Sequence, residues 1–207
     1  MINELNHPLV TELINRLRKN STDANQFKQT VAELSRLLCY QALQQLSLES
    51  NEIDTWQGKS NYEFINQRNL VLVPILRAGL PMLDGLQNLL PDVPNGFLAM
   101  KRDEVTHIAK TYYQRLPDCT NKTVILLDPM LATGGSLNDA IELLKQLSPK
   151  QILCLNIIGS PEGVKSVTEL HPDVAINIAQ IDKELDDNMF IYPGLGDAGD
   201  RAFNTPE

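Results

Sequence analysis

The sequence predicts an α/β protein in which helices cover both faces of a parallel β-sheet. Beyond residue 70, short apolar runs alternate with stretches of helical periodicity, which is typical of parallel strands joined by crossover helices. The runs are apolar at almost every position, as expected of strands that are buried on both faces. The 207 residues are enough for one domain with its own core, so we predict a single domain over residues 1–207.

The elements before the first apolar run are predicted mainly as helices. A short helix covers residues 8–18. A longer amphipathic helix follows, because apolar residues recur at helical spacing over residues 27–46, and Asp23 or Thr22 can cap its start. The polar segment 51–69 has no clear period and fits either a loop or an edge hairpin.

From residue 70 onward, strands and helices alternate. The predicted elements are, in order, LVLVPIL (70–76), PMLDGLQNLL (81–90), GFLAM (96–100), TVILL (123–127), SLNDAIELLKQL (136–147), ILCLNII (152–158), PEGVKSVTEL (161–170) and VAINIA (174–179). One polar insert, residues 101–117, interrupts them, and so long an excursion is usually functional or mobile. Ligands of such folds bind at the carboxyl ends of strands, so we expect the site residues directly after strands.

Composition and charge exclude several classes of function. The net charge of −8 and the pI near 4.9 argue against a nucleic-acid surface, which needs many Lys and Arg side chains. The first residues lack the basic start and unbroken apolar stretch of a signal peptide, and no apolar run approaches the ~20 residues that cross a bilayer. We therefore expect a cytoplasmic protein with no nucleic-acid partner and no membrane span.

Cysteine and histidine form no recognisable catalytic or metal centre. The cysteines are odd in number, lack metal-ligand spacing and fit reduced cytosolic thiols: Cys39, Cys119 and Cys154. The histidines share no ligand spacing: His7, His107 and His171. Because no GxSxG motif occurs either, we expect neither a metal site made by the protein nor covalent catalysis.

The segment DPMLATGGS, residues 128–136, is predicted as a phosphate loop between a buried strand and a helix. Glycines let the backbone approach a phosphate, the helix start adds a partial positive charge, and Thr133 and Ser136 can donate hydrogen bonds. Asp128, at the end of the strand, can accept hydrogen bonds from ribose hydroxyls. The alternative is a tight turn with Ser136 as the helix cap. The Walker and dinucleotide patterns are absent, which disfavours nucleotide hydrolysis and hydride transfer.

Three segments together resemble uracil phosphoribosyltransferases: the phosphate loop, PILRAGL at residues 74–80 and PGLGDAGDR at residues 193–201. The resemblance extends from His7 to Thr205. It implies the type I phosphoribosyltransferase fold, a Rossmann-like parallel core of about five strands with flanking helices and a small hood. It also implies a reaction of pyrimidine salvage, in which uracil and 5-phospho-α-D-ribose 1-diphosphate (phosphoribosyl diphosphate) give UMP and diphosphate.

The resemblance also assigns roles to individual residues. Asp128 and Arg77 are expected to be catalytic. The residues expected to bind phosphoribosyl diphosphate are Arg77, Arg102, Asp128, Pro129, Met130, Leu131, Ala132, Thr133, Gly134, Gly135, Ser136 and Asp197. The residues expected at uracil are Ile191, Gly196, Asp197 and Ala198. Backbone groups suit uracil, because fixed donors and acceptors match its alternating carbonyl and N–H groups.

The same segments have plainer interpretations. Arg77 also fits an arginine that pairs or caps at a strand end, and a glycine-rich segment near a C-terminus is usually a linker. Asp200 fits a residue that braces this segment. On the family interpretation, residues 101–117 are the hood insert and residues 190–205 are the base-recognition tail.

The sequence departs from the family pattern in two places. In the hood insert, VTHIAK (residues 105–110) replaces a run of acidic and proline residues. Beside the base pocket, Tyr192 replaces an aliphatic residue, and Ala202 and Asn204 stand where tyrosine and glycine are usual. We expect the three differences beside the base pocket to change its shape or affinity without abolishing the chemistry.

The implied mechanism depends on positioning and electrostatics. Mg²⁺, bound mainly through the diphosphate and ribose oxygens of the substrate, is the expected cofactor. We expect a homodimer or a higher homo-oligomer. Two alternatives are a pyrimidine-responsive RNA-binding regulator, which the acidic pI disfavours, and a non-catalytic nucleotide-binding relative, which the presence of Arg77 and Asp128 disfavours.

Overall fold

The computed structural model describes residues 1–102 and 109–205. Within these ranges the helices are α1 (Pro8–Arg18), α2 (Ala24–Ala42), α3 (Leu80–Gln87), α4 (Gly135–Lys145), α5 (Pro161–Leu170) and α6 (Ala198–Phe203). The strands are β1 (Ile2–Glu4), β2 (Glu49–Thr55), β3 (Gly58–Phe64), β4 (Leu70–Leu76), β5 (Phe97–Arg102), β6 (Ala109–Arg115), β7 (Thr123–Leu127), β8 (Met130–Leu131), β9 (Gln151–Gly159), β10 (Ala175–Ile181), β11 (Glu184–Leu185) and β12 (Ile191–Tyr192). Every strand and helix predicted beyond residue 70 is present, with small shifts at the ends. None of the described helices is apolar over enough of its length to span a bilayer.

The main sheet confirms the predicted α/β class. Its strand order is β1-β10-β9-β7-β4-β5-β6, and the short strand β8 also pairs with β9. Every pairing in this sheet is parallel except that of β5 with β6. The five long parallel strands are the predicted core. The sheet is wider than predicted, because β1 adds one edge beside β10 and the second half of the polar insert adds the other as β6.

Two hydrophobic cores lie on opposite faces of the main sheet. Leu70 and Leu72 of β4 cluster with apolar residues of α1, α2 and α3, whereas Val71 and Val73 cluster with those of α4 and α5. Strand β7 divides its side chains between the two cores in the same way. The unbroken apolar runs therefore reflect burial on both faces, as predicted.

The long helix α2 begins where capping predicted and ends earlier than its periodic pattern. Asp23 is the cap, because its side chain accepts from the N–H of Gln26 at 2.8 Å. The hydroxyl of Thr22 instead donates to a carbonyl of α1 at 2.6 Å. After Ala42 the chain continues only as a short 3-10 turn, so the apolar pattern over residues 27–46 extends past the helix itself.

The segment 51–69, for which a loop and an edge hairpin both fitted, contains a hairpin. Strands β2 and β3 pair with each other as an antiparallel two-stranded sheet, separate from the edge of the main sheet. Their side chains are exposed almost throughout. The hairpin therefore projects from the domain.

The loops that follow β4, β7, β9 and β10 gather at one edge of the sheet, because these strands run parallel. The tail beyond β10 packs at this carboxyl edge. Strands β11 and β12 pair with each other, and α6 packs against α2. The fold thus brings the phosphate loop, the loop after β4 and the base-recognition tail to one side of the molecule.

Candidate active site

Asp128 ends β7 and begins the phosphate loop. Strand β9 holds its backbone: the N–H of Asp128 donates to the carbonyl of Leu155 at 3.2 Å, and its carbonyl accepts from Nδ2 of Asn156 at 2.7 Å. One carboxylate oxygen accepts from the N–H of Met130 at 3.3 Å. Burial raises the pKa of Asp128 to about 7, against the opposing effect of the Met130 hydrogen bond. The carboxyl group is therefore poised between its two protonation states near neutral pH.

The middle of the phosphate loop is built into the sheet. Strand β8 pairs with the end of β9, and the carbonyl of Pro129 accepts from two N–H groups of β9, each at 3.0 Å. The side chain of Leu131 is buried in the core that includes α4 and α5. A contact between Leu131 and a ligand would therefore have to come from its backbone.

Helix α5 supports the phosphate loop. The hydroxyl of Ser160 donates to the carbonyl of Ala132 at 2.6 Å and accepts from the N–H of Gly163 at 2.9 Å. A Cβ atom added at Gly163 would lie 2.1 Å from that same Ala132 carbonyl. The close approach of α5 to the loop therefore requires glycine at this position.

The loop turns into α4 at Gly134, which is the N-cap and has a φ of +83°. An added Cβ there would lie 3.1 Å from the carbonyl oxygen of Gly163, so both conformation and space favour glycine. Ser136 lies within the first turn, and the alternative that made it the cap is wrong. The hydroxyl of Thr133 accepts a long hydrogen bond of 3.5 Å from the N–H of Gly135. The first N–H groups of a helix lack intrahelical partners and attract an anion.

Arg77 lies on the neighbouring loop, between β4 and α3. A Cβ atom added at Gly79 would lie 2.6 Å from the carbonyl of Leu127, the residue before Asp128. Glycine at position 79 therefore lets this loop pack directly against the end of β7. The loops that carry Arg77 and Asp128 lie side by side, as the predicted site requires.

The guanidinium of Arg77 contacts the base-recognition tail. Its Nη2 donates to Asp200 at 2.8 Å, and its Nη1 donates to the hydroxyl of Thr205 at 3.1 Å. The Thr205 hydroxyl also donates to Asp200 at 2.7 Å, and this bond, followed by the Arg77 contact, holds the pKa of Asp200 below its usual range. The pairing that the sequence left open for Arg77 is present, and Asp200 braces the tail. The Arg77 side chain is nevertheless 55% exposed.

The base-recognition tail is ordered structure, so its interpretation as a linker is wrong. The side chains of Ile191 and Ala198 are buried in the core that includes α1, α2 and α3. Gly196 has a φ of +80°, and Asp197 caps α6 by accepting from the N–H of Asp200 at 2.8 Å. Because the two apolar side chains are buried, a base could meet only the backbone of Ile191 and Ala198. The contact of Asp197 with phosphoribosyl diphosphate stays a prediction.

The polar insert is described only in part. Arg102 ends β5, opposite Ala109 of β6. The side chain of Arg102 and residues 103–108 lie outside the described residues. The contact of Arg102 with substrate and the role of residues 101–117 as a hood stay predictions.

Several residues that hold these loops in place were not predicted. Asn156 and Ser160 support the phosphate loop, and Arg18, Asp182 and Arg201 support the tail. Asp182 directly follows β10, so the rule that pointed to Asp128 could also have pointed to it. Asn156 and Arg18 lie inside a strand and at the end of a helix, where no local pattern distinguishes them.

An anion-binding helix start beside a carboxyl group suits a phosphate and the hydroxyls of the ribose that carries it. On a parallel sheet, that combination is the one that an α/β phosphoribosyltransferase needs. Comparison with known proteins narrows the class. A family model described as uracil phosphoribosyltransferase matches residues 4–205, and the chain belongs to the uracil phosphoribosyltransferase family.

Similar proteins cover nearly the whole chain. The chain is 45% identical to a uracil phosphoribosyltransferase from Wolinella succinogenes over 203 residues, which is 98% of each chain. It is 46% identical to one from Lactobacillus gasseri over 202 residues, which is 97% of each. A solved structure of a protein from Aquifex aeolicus superposes with a TM-score of 0.95 at 41% identity and 98% coverage of both chains.

Proposed function

We propose that this chain converts uracil and phosphoribosyl diphosphate to UMP and diphosphate in pyrimidine salvage. N1 of uracil forms a bond to the anomeric carbon of the ribose as the bond from that carbon to the diphosphate oxygen breaks. Diphosphate leaves with the electron pair, and the proton of N1 is released to solvent. The match to the family over nearly the whole chain carries this proposal, and Asp128 and Arg77 on adjoining loops support it.

The phosphate loop would hold the ribose 5-phosphate part of the substrate. The helix start at residues 133–136 binds the 5-phosphate, because the first N–H groups of a helix lack intrahelical partners and attract an anion. Asp128 accepts hydrogen bonds from the ribose hydroxyls. When ionised, its carboxylate also favours the positive charge that develops on the ribose ring as the leaving group departs.

Arg77 would bind the diphosphate. A planar guanidinium suits paired phosphate oxygens better than a point charge does, and it offsets the acidic net charge locally. Arg102 would assist from the hood insert. The oxygens of Asp128 are the hard donors that Mg²⁺ prefers, and they fit a cation that enters with the substrate and keeps few protein ligands. When bound, Mg²⁺ would neutralise negative charge on the departing diphosphate.

The base-recognition tail would select uracil. Backbone groups of Ile191, Gly196 and Ala198 match its carbonyl and N–H pattern, and Asp197 faces phosphoribosyl diphosphate. Support comes from the positive φ of Gly196 and the buried side chains of the other two residues, which leave backbone atoms for recognition.

The test is to follow radiolabelled uracil into UMP with and without phosphoribosyl diphosphate and Mg²⁺. We expect product only when all three are present. Faster product from orotate or a purine base would contradict uracil as the substrate. Binding of UMP without any turnover would favour the non-catalytic, regulatory alternative.

We further propose that the chain works as a homodimer or a higher homo-oligomer. An isolated two-stranded hairpin is marginally stable in water, yet β2 and β3 extend from the domain with Trp56 at their turn 92% exposed. An apolar groove between this hairpin and α2 is lined by Tyr40, Leu48, Phe64 and Leu89. A second copy related by a two-fold axis could cover hairpin and groove reciprocally.

A cytoplasmic location is proposed on the chemistry of the cysteines. The three thiols are free and buried: Cys39, Cys119 and Cys154. Free thiols are typical of reducing compartments, whereas exported proteins commonly pair their cysteines. Fractionation of cells that produce the protein tests the location, and recovery outside the cytoplasm would contradict it.

A further inference from the structure

We propose that Arg18 and Asp182 are positioning residues for uracil recognition, which they control by fixing the backbone turn at Gly194. The inference rests on the proposed role of the tail in binding uracil. Arg18 is the last residue of α1, Asp182 follows β10, and neither belongs to the phosphate loop or to the tail. Together they form a clamp that holds the tail from outside.

Arg18 binds Asp182 through both ends of its guanidinium and also binds Gly194. Nη1 donates to Asp182 Oδ2 at 2.8 Å and to the carbonyl of Gly194 at 2.5 Å, while Nη2 donates to Asp182 Oδ1 at 2.5 Å. This two-point contact fixes the orientation of the guanidinium plane. The third bond therefore fixes the direction of the Gly194 carbonyl.

Asp182 holds the other side of the same peptide turn. Its side chain is fully buried, and its Oδ2 accepts from the N–H of Gly194 at 2.9 Å. Its Oδ1 also accepts from Gln180 at 3.2 Å, and its backbone N–H donates to the carbonyl of Gly159 at 2.7 Å. Both backbone groups of Gly194 are thus bonded to one ion pair that is anchored to the ends of β9 and β10.

The turn at Gly194 determines where the predicted uracil contacts lie. Gly194 has a φ of +63°, and a Cβ atom added there would lie 2.1 Å from the carbonyl of Ile191. Gly196 follows two residues later. A tilt of the Gly194 peptide would therefore move Ile191 relative to Gly196, and both are residues expected at the base.

Arg201 ties the tail to the same end of α1 through a second, independent set of hydrogen bonds. Its Nη1 donates to the carbonyls of Leu195, at 2.6 Å, and of Leu17. Its Nη2 donates to the carbonyl of Lys19 at 2.9 Å, and the guanidinium lies 4.6 Å from the ring centre of Phe27. The backbone of two successive tail residues is thus tied to the last turn of α1.

A buried ion pair is in general weak evidence for stability but can define a unique geometry. Here the hydrogen bonds that the pair makes to other residues go to the backbone of Gly194 in the tail and to the ends of β9 and β10. The role therefore predicts a selective kinetic effect. The KM for uracil should rise by a larger factor than the KM for phosphoribosyl diphosphate, because the side chains of the pair bond to Gly194 in the tail and to no residue of the phosphate loop.

The test compares Arg18→Met, Arg18→Lys and Asp182→Asn with the wild-type full-length chain. Arg18→Met should raise the KM for uracil about tenfold, the effect of losing bonds to a charged group, and raise the KM for phosphoribosyl diphosphate by a clearly smaller factor. Arg18→Lys should recover only part of the loss, because an ammonium cannot form the two-point contact. Asp182→Asn keeps the shape of the side chain but removes its charge. Its KM for uracil should lie between those of the wild type and Arg18→Met.

Arg16→Met is the matched control. Arg16 lies on the same helix, and its guanidinium reaches Glu12 and Glu33 only at 3.9 Å, with 44% of the side chain exposed. Arg16→Met should leave the KM for uracil and the KM for phosphoribosyl diphosphate unchanged. If Arg18→Met unfolds, Arg18→Lys and Asp182→Asn decide the question at a temperature where both are folded.

Two outcomes would overturn the positioning role. The first is an equal rise of both KM values, and the second is a loss of thermal stability with unchanged kinetics in the folded fraction. Failure of the wild-type chain to form UMP would instead refute the proposed function. The two failures are therefore distinguishable.

Discussion

At the scale of single residues, Asp128 is the residue whose acid–base chemistry depends most on its place in the fold. The carboxyl group accepts from one backbone N–H, and burial brings its pKa to about 7. An acid whose folded pKa is raised is protonated in the native state at a pH where the unfolded chain has already lost its proton. The group therefore costs stability increasingly as pH rises from its unfolded pKa near 4 to about 7.

Asp128→Asn should separate function from stability. We expect UMP formation to fall by at least about 100-fold, because the amide removes the charge that stabilises the transition state. The variant should gain stability over the wild type by on the order of 2 kcal/mol as pH rises from 5 to 8, levelling above pH 7. The radiolabel assay measures UMP formation, and urea unfolding at several pH values measures the stability. Asp84→Asn, at an exposed carboxylate of α3, is the control and should change neither.

The kinetics of Asp128 should follow the same pKa. In the wild type, kcat/KM for phosphoribosyl diphosphate should rise with pH through about 7, as the carboxylate form becomes populated in the free enzyme. Initial rates between pH 5.5 and 8.5 measure this profile. A profile that is flat across that interval in the wild type would contradict the assignment.

Gly134→Ala tests the turn into α4. The residue needs a φ of +83°, and the added methyl would press on the carbonyl of Gly163. We expect a loss of about 1–2 kcal/mol of stability and a KM for phosphoribosyl diphosphate raised about tenfold. Gly58→Ala, at a φ of +110° with open space around it, shares the backbone penalty far from the site. Gly58→Ala should keep the wild-type KM for phosphoribosyl diphosphate. If Gly134→Ala had the same KM as Gly58→Ala, the phosphate loop would not be the binding site of this substrate.

At the scale of elements, the loop after β4 and helix α6 act together. Arg77 is the contact between them, because it pairs with Asp200 and Thr205 while more than half of its side chain stays exposed. The arrangement offers an oriented cation to a ligand at the carboxyl edge. It also ties the proposed diphosphate end of the site to the tail that we propose recognises the base.

Arg77→Ala should raise the KM for phosphoribosyl diphosphate by about 10- to 100-fold, the range expected for lost charge-assisted hydrogen bonds. Arg77→Lys should restore only part of the affinity, because one ammonium cannot replace two parallel N–H donors. Initial-rate kinetics with varied phosphoribosyl diphosphate measure the effect. Arg68→Ala changes the charge equally at an exposed position and should behave as wild type. Full activity of Arg77→Ala would remove Arg77 from the site.

At the scale of the whole molecule, the hairpin of β2 and β3 is the element least explained by a lone chain. It adds exposed aromatic surface and pairs with no strand of the main sheet among the described residues. Its apolar groove shares residues with the outer side of α2. An interface between copies would give both surfaces a function.

Sedimentation should show the assembly directly. We expect a species of at least twice the 23.2 kDa of one chain at micromolar concentration. Leu48→Asp puts a charge in the groove and should shift the protein toward single chains. Leu170→Asp, at an exposed leucine of α5, makes the same chemical change elsewhere and should not. A wild-type protein that sediments only as single chains would contradict the proposal.

Much of the fold was predictable because its signals are local. The strand LVLVPIL and the helix PEGVKSVTEL have the predicted bounds, since hydrophobic period and a capping serine act within a few residues. The antiparallel partner of β5 was not predicted, because its pattern is polar and its pairing depends on the neighbouring strand. The separate hairpin was left as one of two options for the same reason.

The sequence by itself determined the layered α/β architecture, the glycine-rich loop between β7 and α4, and the family. These depend on periodicity, on backbone freedom at glycine and on motifs within nine residues. Tertiary structure alone decided the partners of Arg77, 123 residues away, and of Arg18, 164 residues away. It also decided the raised pKa of Asp128. Burial and ion pairing are properties of distant groups brought together, so only the packed chain defines them.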